Sequence, residues 1–487
     1  MQNSKPLHKL KKMQRTLINV KRVKKIVLGL ICFLSITSSS YAKIWLPSIL
    51  SDNMVLQQQS EATIWGWTTN AAESITITTS WNNEAVSTKA YQGVWSLKLP
   101  TPEAGGPYTI TITGHEVLEL KNVLIGEVWF CSGQSNMEWT PLKGLDNVEQ
   151  EIKAANYPKI RLFSVNKKKS EYKQDDAQGT WEFCLPETMK DFSSVAYFFG
   201  RELHNELEEV PIGLINSSWG GTPIETWIEK EQLEAHSDLK EASTKIKDYV
   251  WWPRDPGVTY SSMVHPFLNY NIAGCLWYQG ESNRQNAQSY YKSLPLLITS
   301  WRAAWQKEFP FYFVQIAPFT YNDFKEEVAL VRDAQLQTMK TVNNTGMVVT
   351  NDIGNLKNIH PTNKQEVGRR LALWALAKTY GVKDIVYSGP VYKTMEVKRN
   401  KAIIHFDYVE GGLVSKEGEL KTFYIAGADK KFYPAKAKII GNTVEVSAKE
   451  VKHPVAVRFA FSDDALPNLF NASGLPASAF KTDTWTE

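Results

Sequence analysis

Cysteine is scarce in this 487-residue sequence: there are four, and Cys32 sits inside an apolar run near the N-terminus. The other three, Cys131, Cys184 and Cys275, are too few and too scattered for a disulfide framework or a zinc site. One disulfide and three buried thiols are equally compatible with them. No HExxH or equivalent ligand cluster occurs, so neither a metal nor another cofactor is expected. A G-x-S-x-G nucleophile elbow is missing too. The apolar run itself, Ile26–Ile36, is about half of the ~20 residues a helix needs to cross a bilayer, which argues against a stable membrane anchor.

Charge of one sign is also lacking. The formal net charge is +4, and even that small excess is local. Residues 1–42 order a basic stretch (Lys5 to Lys25), the apolar run and Ser40-Tyr41-Ala42, the arrangement of a secretory signal peptide. They hold nine of the 55 basic residues and no acidic one, so the rest of the chain sets 46 basic against 51 acidic side chains, a balance of −5. That leaves no case for nucleic acid as a partner. The expected location is outside the cytoplasm, periplasmic or extracellular.

What the sequence does have is tryptophan, 17 residues, within an aromatic content of 12 %. Flat rings with a polar edge suit sugars, whose apolar faces alternate with hydroxyls, although most of these rings must serve ordinary packing. From residue 43 to 120 short period-two segments (ATIWGW, SITITTSW, GVWSLKL, YTITITG) separated by turns predict a small antiparallel sandwich. From 121 to 384 short apolar strands alternate with helical patterns: strands at 128–131, 211–216, 272–278, 311–316 and 346–350, helices at about 194–209, 288–306, 324–339 and 364–380. This predicts an α/β unit, a mostly parallel sheet with helices on both faces. Residues 222–264, rich in Trp, Glu and Lys, interrupt it, either as a helical insertion over the site or as surface decoration. Strand texture returns over 385–487, the size of a second sandwich-like unit.

The sharpest local pattern is Gly126-Glu-Val-Trp-Phe-Cys-Ser-Gly-Gln-Ser135-Asn-Met-Glu-Trp139. An apolar strand runs into a glycine turn, which puts the Ser135 hydroxyl at the C-terminal edge of the sheet, where open α/β sheets bind their ligands. A serine nucleophile needs a base. His360, in a loop between the last strand and last helix of the α/β unit, reaches the same edge and is the best candidate; His265 is its rival. The remaining histidines fall in the sandwich regions or in helical sequence. Two further segments end strands there: Asn216-Ser-Ser-Trp-Gly220-Gly221-Thr-Pro-Ile-Glu225 offers glycine N–H donors, and Trp277-Tyr-Gln279-Gly-Glu281-Ser-Asn283 offers a side-chain amide. With the Ser135 N–H they could make an oxyanion hole; a satisfied turn is the plainer account of each.

These blocks, GQSNMEW, SSWGGTPIE, WYQGESN and IHP followed by NKQEVGRRLA, resemble in content and order the sialate O-acetylesterase-like branch of the SGNH hydrolases, which includes relatives of acetylxylan esterases. The resemblance covers nearly all of the chain after residue 42. It implies an SGNH-hydrolase-like α/β domain flanked by N-terminal and C-terminal β-sandwich-like domains, and a serine esterase that removes acetyl groups from carbohydrate through an acetyl-enzyme. By that likeness Ser135 is the nucleophile, His360 the base, and Ser135, Gly220, Gly221 and Gln279 the oxyanion hole. One feature departs from the pattern: SGNH enzymes place an Asp three residues before the His, and here position 357 is Lys. Asp352 is the first substitute, Glu281 the second, and a Ser-His dyad with His360 held by a carbonyl or by Asn358 the third. An O-acetylated sialic acid is the expected substrate, with Arg284 and Arg254 as possible carboxylate partners; acetylated xylan or another plant glycan is the alternative. A non-catalytic carbohydrate-binding protein is the alternative of a different class.

Overall fold

The computed structural model describes residues 12–15, 17–19, 43–321 and 326–485. The expected signal peptide, 1–42, lies outside them apart from its residues 12–15 and 17–19. Among the described residues no helix is long and apolar enough to cross a membrane.

Strand β1, Val117–Gly133, joins two units. Its first half pairs antiparallel with Gly105–Thr113 inside the N-terminal sandwich, and its second half runs parallel to its neighbours in the α/β sheet. No linker therefore separates the two regions at residue 120. The sandwich has the expected alternation: in Val94–Pro100 every second residue is buried.

In the α/β unit β1 is followed by β2 (Tyr157–Ser164), β3 (Trp181–Cys184), β4 (Ile212–Ser218), β5 (Gly274–Tyr278), β6 (Phe311–Val314) and β7 (Thr345–Val348). Their order across the sheet is β3-β2-β4-β1-β5-β6-β7, all parallel except the edge strand β3. Because strand side chains alternate in direction, β1 feeds two cores. Phe130 packs with Trp277 and Trp301 on one face, while Trp129 and Cys131 pack with Leu214 and Trp374 on the other.

Five of the helices bear on the site and its supporting layers: α1 (Ser135–Glu138), α2 (Ser194–Glu206), α3 (Ala287–Trp305), α4 (Glu327–Thr341) and α5 (Lys364–Lys378). The pair α2 and α5 covers one face, and α3 and α4 the other. The α5 helix starts where Asn363 caps it, its side chain accepting from the Glu366 N–H at 3.0 Å.

Two strands, β2 and β3, were not expected. β2 carries Pro158, Lys159 and Arg161 among its apolar residues, and β3 is only four residues long, so neither has a clean period-two signal. The three cysteines are free and buried, and burial raises the pKa of each thiol.

Beyond Val391 the chain forms two four-stranded sheets and one two-stranded sheet, every pair antiparallel. This unit is fastened to the α/β unit by buried bonds: Asp463 Oδ1 accepts from the Val328 N–H at 2.9 Å, and the Asn351 amide donates to the Ala477 carbonyl at 2.9 Å.

Candidate active site

β1 is the central strand, with β4 on one side and β5 on the other, and the turn that ends it is held by both neighbours. Gln134 N–H donates to the Tyr278 carbonyl at 3.0 Å, and Trp219 N–H donates to the Gly133 carbonyl at 3.0 Å. Gly133 has φ +138°, and a Cβ there would lie 2.2 Å from the Tyr278 oxygen. Only glycine lets the chain turn this close to β5 and bring Ser135 out at the sheet edge.

Ser135 heads α1, and the loop after β7 brings His360 to it: Nε2 is 2.9 Å from Ser135 Oγ. This is the contact a general base needs. The His360 ring lies flat on Trp139, centroids 4.2 Å apart and planes 16° from parallel. Burial, together with the positive charges of Lys364 and Lys143, depresses the His360 pKa to about 4; Glu138 opposes this in part.

The expected orienting carboxylates are elsewhere, which corrects the sequence reading. Asp352 makes a two-pronged ion pair with Arg370, at 2.8 and 2.7 Å. That arginine comes from α5, close after the His360 loop in sequence, and occupies both carboxylate oxygens. Glu281 accepts from Asn136 Nδ2 at 2.6 Å instead. Asn358 Oδ1 accepts from the His360 backbone N–H at 2.9 Å, not from its ring. Among the described residues the ring has no hydrogen-bond partner besides Ser135. Asp352→Asn is therefore expected to cost about 3 kcal/mol of stability by leaving half of a buried ion pair. Turnover per folded molecule should stay within threefold; a hundredfold loss of kcat at unchanged melting temperature would restore Asp352 to the site.

Of the four groups expected to form an oxyanion hole, Gln279 and Gly220 are engaged elsewhere. Gln279 is buried behind β5, donating to Asn283 Oδ1 at 2.7 Å and the Thr222 carbonyl at 3.3 Å and accepting from the Tyr290 hydroxyl at 2.8 Å. It does not line the cavity over Ser135. Its amide was legible in the sequence, but its commitments come from residues on other elements. Gly220 packs against Ser135, a Cβ there meeting Ser135 Cβ at 3.2 Å, yet its N–H donates to Glu138 Oε2 at 2.6 Å. Burial works to raise the Glu138 pKa, but ion pairs with Lys143 (2.7 Å) and Lys167 (2.9 Å) outweigh it and hold the carboxyl below its usual range. The N–H groups of Ser135 and Gly221 donate to no described residue.

Above these groups lies a cavity of about 600 Å³. The segment expected to be an insertion roofs it with Lys245, Lys247, Tyr249, Trp251 and Trp252, facing Trp219 and Trp139. Trp251 is 79 % exposed at the rim. Lys143, Lys167 and Arg284 also line the cavity, and the acidic lining residues are Glu138 and Glu281. Arg284 Nη1 pairs with Glu327 at 3.2 Å, and Arg254, which is not part of the lining, pairs with Asp248. The rival His265 bonds the Gln174 carbonyl and lines a different cavity with Lys98 and Trp305. Sequence reasoning missed Asn136, Glu138 and Trp139, although all three sit in the motif around Ser135. It also missed Lys364, whose charge marks it for solvent.

The chain is similar to known carbohydrate esterases. Residues 125–377, more than half of the chain, match the family of carbohydrate esterases described as sialic acid-specific acetylesterase. The chain is 30 % identical to human sialate O-acetylesterase over 93 % of its own length and 96 % of the human protein. It is 31 % identical to sialate O-acetylesterase of Pongo abelii, over 80 % of this chain and 82 % of that one. Its structure superposes on a carbohydrate acetylesterase from Xanthomonas citri with TM-score 0.83 and 36 % identity, covering 91 % of this chain and all of that one. With a serine and a histidine in contact at the edge of an SGNH-type sheet, and with relatives of this reach, the chain belongs to the sialic acid-specific acetylesterase family of carbohydrate esterases.

Proposed function

We propose that the enzyme hydrolyses O-acetyl groups from O-acetylated sialic acids through an acetyl-enzyme on Ser135. The observation that carries this is the 2.9 Å contact between His360 Nε2 and Ser135 Oγ at the floor of a cavity large enough for one sugar. His360 takes the Ser135 proton as Oγ attacks the acetyl carbonyl. The Ser135 and Gly221 N–H groups receive the oxyanion. As the tetrahedral intermediate collapses, His360 returns the proton to the departing sugar oxygen. It then draws a proton from water, which attacks the acetyl-enzyme, and passes that proton to Ser135 Oγ as the Oγ–C bond breaks and acetate leaves.

The sialate reading is supported by the charge at the cavity. Among the described residues, five of its lining side chains are basic and two acidic, and Lys247 makes no ion pair with any of them. An acidic sugar is attracted there even though the chain beyond residue 42 is acidic overall, because a cleft feels its own lining more than distant screened charge. Acetylated xylan or another neutral glycan is the second reading, favoured by the aromatic roof, which suits any pyranose face. Membership in a catalytic family removes the reading as a pure binding protein. Export belongs to the same proposal. An N-terminus at Lys43 in protein recovered from periplasm or medium would support it, and a cytoplasmic full-length chain would refute it.

Acetate release from O-acetylated sialic acid and from acetylated xylo-oligosaccharide, measured in parallel, tests the substrate. A kcat/KM higher for the sialate supports the proposal; one higher for the xylo-oligosaccharide, or none from either, overturns it. Replacing Trp251 with alanine is expected to lower kcat/KM for the sugar ester about tenfold more than for p-nitrophenyl acetate, since one exposed ring contributes about 1–2 kcal/mol of contact. Equal losses on both esters would show that the roof does not touch the sugar.

A further inference from the structure

Lys364 is a costly residue. It is the first residue of α5, where the helix dipole repels a cation, and its side chain is 1 % exposed. It is held below the nucleophile by a short chain of bonds. Lys364 Nζ donates to Asn136 Oδ1 at 2.5 Å, and the Asn136 amide donates to Glu281 Oε1 at 2.6 Å and to the Ile359 carbonyl at 3.1 Å. Asn136 follows Ser135 and Ile359 precedes His360, so one side-chain amide ties the nucleophile's turn to the base's loop. The second Glu281 oxygen is buried and has no hydrogen-bond partner among the described residues, so the side chain's bond is the one to Asn136.

We propose that Lys364, Asn136 and Glu281 position His360 for proton transfer, doing through the Ile359 carbonyl what an acidic residue at position 357 would do through the ring. Lys364 orients the amide: by occupying Asn136 Oδ1 it forces Nδ2 toward Ile359 and Glu281. Trp139 then fixes the ring plane. This rests on the serine-esterase reading above and goes beyond it by naming what replaces the third member of the triad.

The cluster has an electrical consequence that makes it testable. The groups facing His360 are Ser135, Glu138, Lys143 and Lys364, and those facing Lys364 are Glu281, His360 and the rings of Tyr278 and Trp139. Burial depresses the Lys364 pKa to about 7, against the opposing pull of Glu281, and burial raises that of Glu281. While Lys364 is protonated it disfavours a proton on His360. Removing it should therefore raise the histidine pKa as well as loosen the loop.

The test is the pH profile of p-nitrophenyl acetate hydrolysis by the full chain carrying Lys364→Met, and by the double variant Lys364→Met/Glu281→Gln. The double variant leaves no unpaired buried charge. Wild type is assayed first beside Ser135→Ala, so that a failure of the esterase reading is seen separately. The expected result is at least a tenfold loss of kcat with KM within twofold, and an acid limb of kcat/KM moved up from about pH 4 toward an ordinary histidine's ~6.5. A folded variant with kcat within twofold of wild type, or with an unmoved limb, overturns the proposal. A double variant that cannot fold overturns it as well, because the cluster would then be structural.

Discussion

Ser135→Ala is expected to lower kcat for acetyl ester hydrolysis by at least about 10⁴-fold, or ~5.5 kcal/mol of transition-state stabilisation. The size of the effect follows from the geometry. Among the described residues the polar partner of the His360 ring is Ser135 Oγ, so without that oxygen the proposed base has only water to activate. Binding and the oxyanion N–H groups would remain, leaving a residual rate but no acetyl-enzyme. His360→Ala should cost a comparable amount, and the double variant little more than either, because the two act as one unit. The check is steady-state kcat together with mass spectrometry of the enzyme quenched during turnover. An acetyl group on Ser135 in wild type only is expected. A Ser135→Ala enzyme retaining more than a few per cent of turnover would remove Ser135 as nucleophile.

The acid limb of kcat/KM is expected near pH 4 rather than near the ~6.5 of an unperturbed histidine. The base works only when neutral, and burial with two nearby lysines keeps it neutral as pH falls. At pH 5 about 90 % of such a base is active against about 3 % of an ordinary histidine, a ~30-fold difference in rate. The sign for stability runs the same way. The unfolded chain takes up this proton from about pH 6.5 downward while the folded enzyme refuses it until about 4, so stability falls through that window. A rate profile with its acid limb at or above 6.5 would contradict the arrangement, because it would mean that a carboxylate stabilises the imidazolium after all.

Both predictions depend on a site that was only half visible in the sequence. Ser135 and His360 could be picked out because each lies just beyond a short apolar strand, and the period-two and helical patterns place all such ends at one edge of a parallel sheet. The lengths of α2, α3 and α5 were likewise legible from their apolar spacing, whereas the role of 222–264 as a roof came only from the cavity it lines. The partners of the polar side chains were not. Nothing local distinguishes an Asp352 that orients a histidine from one gripped by Arg370 eighteen positions later. The Gln279 amide reads as a donor to substrate until Asn283, Thr222 and Tyr290 are seen to surround it. Lys364 reads as a surface lysine at a helix start until Asn136 and Glu281, from two other strand ends, are found beneath it.

The sequence by itself determined the class of fold and the placing of the candidate pair, Ser135 and His360, at one edge of the sheet. Those properties reside in periodicity, in glycine turns and in the order of strand ends, all of which are local along the chain. The tertiary structure decided which carboxylates, amides and lysines face the reaction. A polar side chain can satisfy its bonding in several ways of nearly equal energy, and in a buried site the choice is made by whichever partners the packing of distant elements brings within 3 Å.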